Sequence, residues 1–148
     1  MYGKTIGAAV VMLAALATAS PASAEKMTMK LNLNGASEVP PNDSKATGTA
    51  DVTYDTASKM LNWKVTYSGL TGPATMAHFH GPAEPGKNAG IMVPLKDIAS
   101  GAQGSATLTD AQATALKDGK MYLNVHTKAH PGGEIRAQVK YSAHAVRL

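Results

Sequence analysis

The sequence contains no cysteine, and this absence excludes several classes of structure and site. Without thiols there is no disulfide framework, and neither a blue-copper centre nor an iron–sulfur cluster can form. Aromatic residues are also few, at 5% of the chain, and the lysines and arginines are scattered without a basic run. Nucleic-acid binding usually requires a basic stripe with aromatic stacking platforms. A nucleic-acid partner is therefore not expected, although the formal net charge is +4.

Long apolar runs are scarce as well, and the one that stands out lies near the start of the chain. Lys4 precedes an apolar run over residues 6–17, and a small-residue cleavage pattern ends at Ala24. The run is too short to cross a bilayer comfortably, so it predicts a secretory signal peptide over residues 1–24. The mature chain is then expected to be a single domain over residues 25–148 with no membrane span, exported to the periplasm or the extracellular space.

Apolar and polar residues alternate with a period of two through most of the mature chain, which is typical of half-buried strands. The first such run has its apolar positions at Met27, Met29, Leu31 and Leu33. In total the pattern predicts seven or eight short strands. One short helix is expected over residues 110–117, since Thr109 and Gln112 have the spacing of a capping box. Strands and helices do not alternate, so the predicted fold class is an all-β antiparallel β-sandwich.

Histidines form the most informative pattern in the sequence. His78 and His80 are two residues apart on one predicted strand, so their side chains point to the same face. His126 ends a later strand, on the face opposite its apolar residues. Two imidazoles spaced in this way can bind one ion at about 2.0–2.1 Å, and a histidine from a neighbouring strand can add a third ligand. We therefore predict a metal site at His78, His80 and His126, with His130 in the following loop as a candidate fourth ligand.

The kinds of ligand indicate which metal such a site would bind. Nitrogen donors without thiolate suit copper(II), with zinc(II) as the alternative, and the scarcity of nearby carboxylates argues against calcium or magnesium.

Two other residues remain open to two interpretations. Glu134 and Arg136 share a face of the last strand, where they either form a solvated charged face or support the site, with Glu134 orienting a ligating imidazole. Met27 and Met29 are in phase with leucines and are expected to fill the core.

Three motifs occur in order along the chain: HFHGPA at residues 78–83, YLNVHT at 122–127 and PGGEIRAQ at 131–138. Together they resemble CHRD domains, which were first named from chordin and also occur singly in bacterial exported proteins. The resemblance extends over nearly the whole mature chain, from Leu31 to Tyr141. It implies an immunoglobulin-like β-sandwich. Because chordin is an extracellular growth-factor antagonist, the resemblance also suggests an interaction module with a protein partner.

Three functions remain open on this basis. The sequence favours an exported protein that binds a metal ion, with copper preferred. A metal-free extracellular interaction or scaffolding module is the first alternative. A copper-dependent redox enzyme is the second, similar in outline to copper–zinc superoxide dismutase, but no bridging histidine is evident and no disulfide can form. The chain has no G-x-S-x-G motif and no visible acid–base pair of carboxylates. No catalytic residue is therefore predicted.

Overall fold

A computed structural model describes residues 24–141, so the predicted signal peptide lies outside the described residues except for Ala24. Within this range the chain forms eight strands, one α-helix and a short 3-10 helix over Gly35–Ser37. The strands and the α-helix follow in this order: β1 Lys26–Asn34, β2 Thr47–Asp55, β3 Met60–Ser68, β4 Ala74–His80, β5 Ile91–Pro94, β6 Ala102–Thr107, α1 Asp110–Lys117, β7 Met121–Thr127 and β8 Ile135–Val139.

All neighbouring strands are antiparallel and form one nearly closed sheet in the order β5-β4-β7-β8-β1-β2-β3-β6. β1 and β8 are joined through a single residue pair, Asn34 with Arg136, so the sheet divides into two four-stranded layers. The layers pack across a shared core, where the rings of Trp63 on β3 and Phe79 on β4 meet edge to face at 5.4 Å between centroids. The predicted all-β antiparallel fold with one short helix is confirmed.

Strand periodicity explains which side chains form the core. On β1 every second residue is buried, including Met27 and Met29, so the prediction that these methionines fill the core is confirmed. β7 differs, because all seven of its residues are buried. Its apolar face contributes to the core, while its polar face is covered by the loop over residues 81–90, whose Ala89 exchanges hydrogen bonds with the Tyr122 hydroxyl. The polar face of β7 is therefore enclosed rather than solvated.

The helix α1 forms where the capping pattern predicts it. The Thr109 hydroxyl accepts from the Gln112 backbone N–H, and the Gln112 side chain accepts from the Thr109 N–H, which satisfies two free donors at the first turn. Leu116 is fully buried and attaches the helix to the core. Among the helices in the described residues, none is long and apolar enough to cross a membrane.

Candidate metal site

The structure brings the three predicted histidine ligands together on the enclosed polar face of β4 and β7. These strands pair so that Met76 lies opposite His126 and His78 lies opposite Asn124. One ligand atom from each of His78, His80 and His126 lies within 4.8 Å of the other two. The closest pair is Nδ1 of His78 and Nε2 of His126, at 3.1 Å. The three side chains are buried but retain 6–8% exposure, so the cluster lies just below the surface.

Backbone carbonyl groups orient two of the three imidazoles. Nδ1 of His80 lies 3.0 Å from the carbonyl oxygen of Ala89, and Nδ1 of His126 lies 2.9 Å from that of Pro131. A carbonyl oxygen only accepts hydrogen bonds, so in both rings Nδ1 carries the proton and Nε2 presents a lone pair. Metal-binding histidines are usually held by such a hydrogen bond from the other ring nitrogen. The available lone pairs are thus Nε2 of His80 and His126. Nδ1 of His78 donates to Nε2 of His126 in this arrangement, so His78 would bind a metal through Nδ1 only after its proton moves to Nε2.

Burial favours the uncharged form of two of these imidazoles, those of His78 and His80. It lowers the pKa of His78 to about 4, and repulsion from His126 and His80 adds to the effect. Burial also lowers the pKa of His80, although the oxygens of Ala89 and Asn124, which would both accept from the protonated ring, oppose the shift. Neutral rings have free lone pairs, so a metal ion would not have to displace protons from these two side chains.

The imidazole of His80 stacks on the ring of Tyr122, which in turn stacks on the guanidinium group of Arg136. The ring of His80 is parallel to that of Tyr122, with 4.8 Å between centroids and an interplanar angle of 5°. The guanidinium carbon of Arg136 lies 3.4 Å from the centre of the same tyrosine ring. Since β7 lies between β4 and β8, His80 and Arg136 approach Tyr122 from opposite sides. Arg136 also donates to the Lys87 carbonyl and to Asn88 Oδ1, at 2.6 and 3.0 Å, in the loop that covers the site.

Glu134 is fully buried, and its carboxylate accepts hydrogen bonds from three other segments of the chain. The donors are the hydroxyl of Ser44 at 2.6 Å, the backbone N–H and hydroxyl of Thr71 at 3.0 and 2.8 Å, and the hydroxyl of Thr127 at 2.7 Å. Burial by itself would raise the pKa of Glu134, but these hydrogen bonds outweigh it and hold the pKa below its usual range. The carboxylate therefore links two loops to β7 at the start of β8.

The candidate fourth ligand lies outside the cluster. His130 is half-buried in the turn after β7, where its backbone N–H donates to the Thr127 carbonyl, and it is not a member of the three-histidine group. Met76 lies opposite His126 on β4 and is 46% exposed, so much of its side chain faces solvent.

Strand periodicity places Asn124 on the polar face of β7, but the sequence alone assigned it no role. In the structure its Oδ1 lies 3.0 Å from Nε2 of His80, among the candidate ligand atoms. Its spacing of two residues from His126 was a usable signal, because it places both side chains on one face. The nearby Glu38 gave no such signal, since it comes from the loop after β1 and is brought close only by folding.

One comparison with known proteins agrees with the three sequence motifs. The family model of the CHRD domain matches residues 29–139, which include the three histidines and extend to the last residue of β8. No curated protein and no solved structure was found to match. The family match covers the bulk of the chain, and the chain therefore belongs to the CHRD-domain family.

Proposed function

We propose that this protein is an exported metal-binding protein whose site is formed by His78, His80 and His126, with copper preferred over zinc. The observation that carries the proposal is the convergence of three imidazole donors within 4.8 Å of one another on the enclosed face of two paired strands. The carbonyl groups of Ala89 and Pro131 support it, because they turn Nε2 of two rings toward the cluster.

The donor set supports copper over other first-row metals. All three group members are imidazoles, and no carboxylate is part of the group. Imidazole donors suit zinc, copper, iron and nickel, and for a given site copper(II) is the most tightly bound divalent ion of the series. Export is supported only by the N-terminal sequence, whose charged start, apolar run and cleavage pattern are those of a signal peptide. Binding, with a role in storage, transfer or tolerance, accounts for the site without a catalytic residue.

The test is calorimetric titration of the purified protein, freed of metal, with copper(II) alone, with zinc(II) alone, and with copper(II) after loading with zinc(II). Wild type is expected to bind one equivalent, with copper displacing zinc. The double variant His78→Ala and His80→Ala, which removes two of three donors, is expected to lose saturable binding. The single variant His126→Ala should weaken it strongly. His130→Ala is the matched control, because it removes a neighbouring histidine outside the group, and it should bind like wild type.

Circular dichroism must show that each variant is folded, since the replaced histidines of the cluster are buried. A folded double variant that titrates copper(II) like wild type would overturn the proposal. Tighter binding of zinc than of copper by the wild type would overturn the preference for copper and leave the site itself in place.

A further inference from the structure

Asn124 lies between the three-histidine cluster and a buried carboxyl group. Its side-chain oxygen is 3.0 Å from Nε2 of His80, and its side-chain nitrogen points to the opposite side, 3.4 Å from the carbonyl oxygen of Gly132. That nitrogen also borders Gly133: a Cβ built on this glycine would meet Asn124 Nδ2 at 2.6 Å and would clash with Glu38 Oε1. The nitrogen side of the amide therefore faces the Gly132 carbonyl oxygen and borders the Glu38 carboxyl group.

These neighbours determine which way the amide is turned. An amide nitrogen donates hydrogen bonds and an amide oxygen accepts them, so the nitrogen belongs beside the Gly132 carbonyl and the Glu38 carboxyl. With Glu38 ionised, rotation by half a turn would place the amide oxygen beside the Gly132 carbonyl oxygen and a carboxylate, so three acceptor oxygens would lie together. The hydrogen-bonding network thus assigns the orientation in which Oδ1 points to His80.

This orientation leaves an electrostatic conflict at His80. A neutral imidazole has one proton, and in His80 that proton lies on Nδ1, which donates to the Ala89 carbonyl. The lone pair of Nε2 then faces the lone pairs of Asn124 Oδ1 at 3.0 Å with no hydrogen between them. Buried polar atoms are nearly always paired, so two acceptors converging in this way need a donor or a cation between them.

We propose that Asn124 Oδ1 is a fourth donor of the metal site, which gives three nitrogens and one oxygen, and that Glu38 is a positioning residue that keeps the amide oxygen turned toward the ion. The proposal rests on the proposed function. Its geometry is suitable, because two donors bound at right angles to one ion, each at about 2.0–2.1 Å, lie about 2.9 Å apart. Asn124 Oδ1 and His80 Nε2 are already at nearly that separation.

The surroundings of Glu38 are consistent with this role. Its side chain is 4% exposed, and among the described residues its Oε1 has no hydrogen-bond partner within normal limits. Burial raises its pKa to about 7, while Arg136 and the Asn124 amide act in the opposite direction. A carboxyl group in such a place is costly to bury without a purpose. In its ionised form, which a bound cation would favour, Glu38 would polarise the Asn124 amide, make Oδ1 a better donor and offset part of the charge of the cation.

The test makes two measurements on wild type and on each variant. Calorimetry gives the copper(II) affinity, and electron paramagnetic resonance gives the spectrum of the copper-loaded protein. Asn124→Leu keeps the approximate shape of the side chain and removes the oxygen. It is expected to weaken copper(II) binding at least about 10-fold, since even the loss of a group that only supports a ligand costs about 10–100-fold, and to change the spectrum. Asn124→Asp retains an oxygen and adds charge, so it is expected to bind copper(II) at least as tightly as wild type with an altered spectrum.

Two variants of Glu38 test its positioning role. Glu38→Gln can still present an oxygen to the Asn124 nitrogen, so it should keep the wild-type copper spectrum. Glu38→Leu removes that acceptor and frees the amide to turn, so its spectrum should approach that of Asn124→Leu. A merely structural role would lower the unfolding midpoint in both variants without changing the spectrum of the folded, copper-loaded protein, and that result would overturn the assignment for Glu38.

The outcomes separate this inference from the proposed function. If Asn124→Leu is folded and has the affinity and spectrum of wild type, the fourth donor is refuted, while loss of binding in the double histidine variant still supports the three-histidine site. If the double histidine variant binds copper(II) like wild type, the three-histidine site is refuted, and the fourth donor is refuted with it. If Asn124→Leu does not fold, Asn124→Asp provides the test. A coordinated carboxylate must change the copper spectrum, so an unchanged spectrum would refute coordination by residue 124.

Discussion

Replacement of Glu134 with alanine is expected to lower the free energy of unfolding by about 3–5 kcal/mol, because it removes the acceptor of several charge-assisted hydrogen bonds and leaves a buried donor unpaired. The carboxylate accepts four hydrogen bonds, from Ser44, from Thr127 and twice from Thr71. Hydrogen bonds to a charged group contribute about 1.5–3 kcal/mol each. Their sum overstates the loss, because Ser44 and Thr71 can regain water. Thr127 is 1% exposed and cannot do so without local rearrangement.

Glutamine at this position separates the loss of charge from the loss of hydrogen bonds. Its remaining oxygen can still accept from the Thr71 backbone N–H. The hydroxyls of Thr71 and Thr127, which donate to the other oxygen of Glu134, can instead accept from the new amide. Glu134→Gln is therefore expected to cost about 1–2 kcal/mol, a typical loss for weakened hydrogen bonds.

Urea unfolding followed by circular dichroism measures both effects. With an m-value of about 1.5 kcal/mol per molar, the alanine variant should unfold at a urea concentration about 2–3 M lower than wild type, and the glutamine variant about 1 M lower. The pH dependence has a definite sign. The pKa of Glu134 is lower in the folded than in the unfolded protein, so its contribution is complete above the unfolded value and is lost as the pH falls through the folded pKa. Glu134→Gln should lack this acid-side loss.

An alanine variant with the wild-type unfolding midpoint would refute the structural role of Glu134. A loss of metal binding would instead support its role in orienting a ligating imidazole. If Glu134→Ala remains folded, keeps its stability and loses copper(II) affinity, then the carboxylate acts on a ligating imidazole. We expect the opposite, because the hydrogen bonds of Glu134 run to hydroxyls and a backbone N–H.

Two further predictions concern the fold. Gly104→Ala should destabilise the protein by about 1–3 kcal/mol, as overpacking usually does, because the new Cβ would lie 2.6 Å from the ring of Trp63. Urea unfolding followed by fluorescence of this single tryptophan checks it, and an unchanged midpoint would contradict the close approach. Thr109→Ala should cost about 1 kcal/mol by removing the cap of α1, whereas Thr109→Ser should retain most of the stability in the same assay.

The sequence was sufficient for the strand pattern and for the identity of the ligand candidates. Alternation with period two follows from strand geometry, so the buried face of β1 and the shared face of His78 and His80 can be assigned from the order of residues alone. The capping box of α1 is equally local, because its two hydrogen bonds join residues three apart. Signals of this kind depend only on neighbours along the chain.

Only the tertiary structure decided what surrounds those residues. The period of a strand determines which face a side chain is on, but the pairing of β4 with β7 determines that His126 and Asn124 lie beside His78 and His80. The polar face of β7 has the sequence of a solvated surface and is buried because a distant loop closes over it. Glu38 reaches Asn124 in the same way. Contacts between distant segments depend on strand register and loop path, which no local pattern specifies.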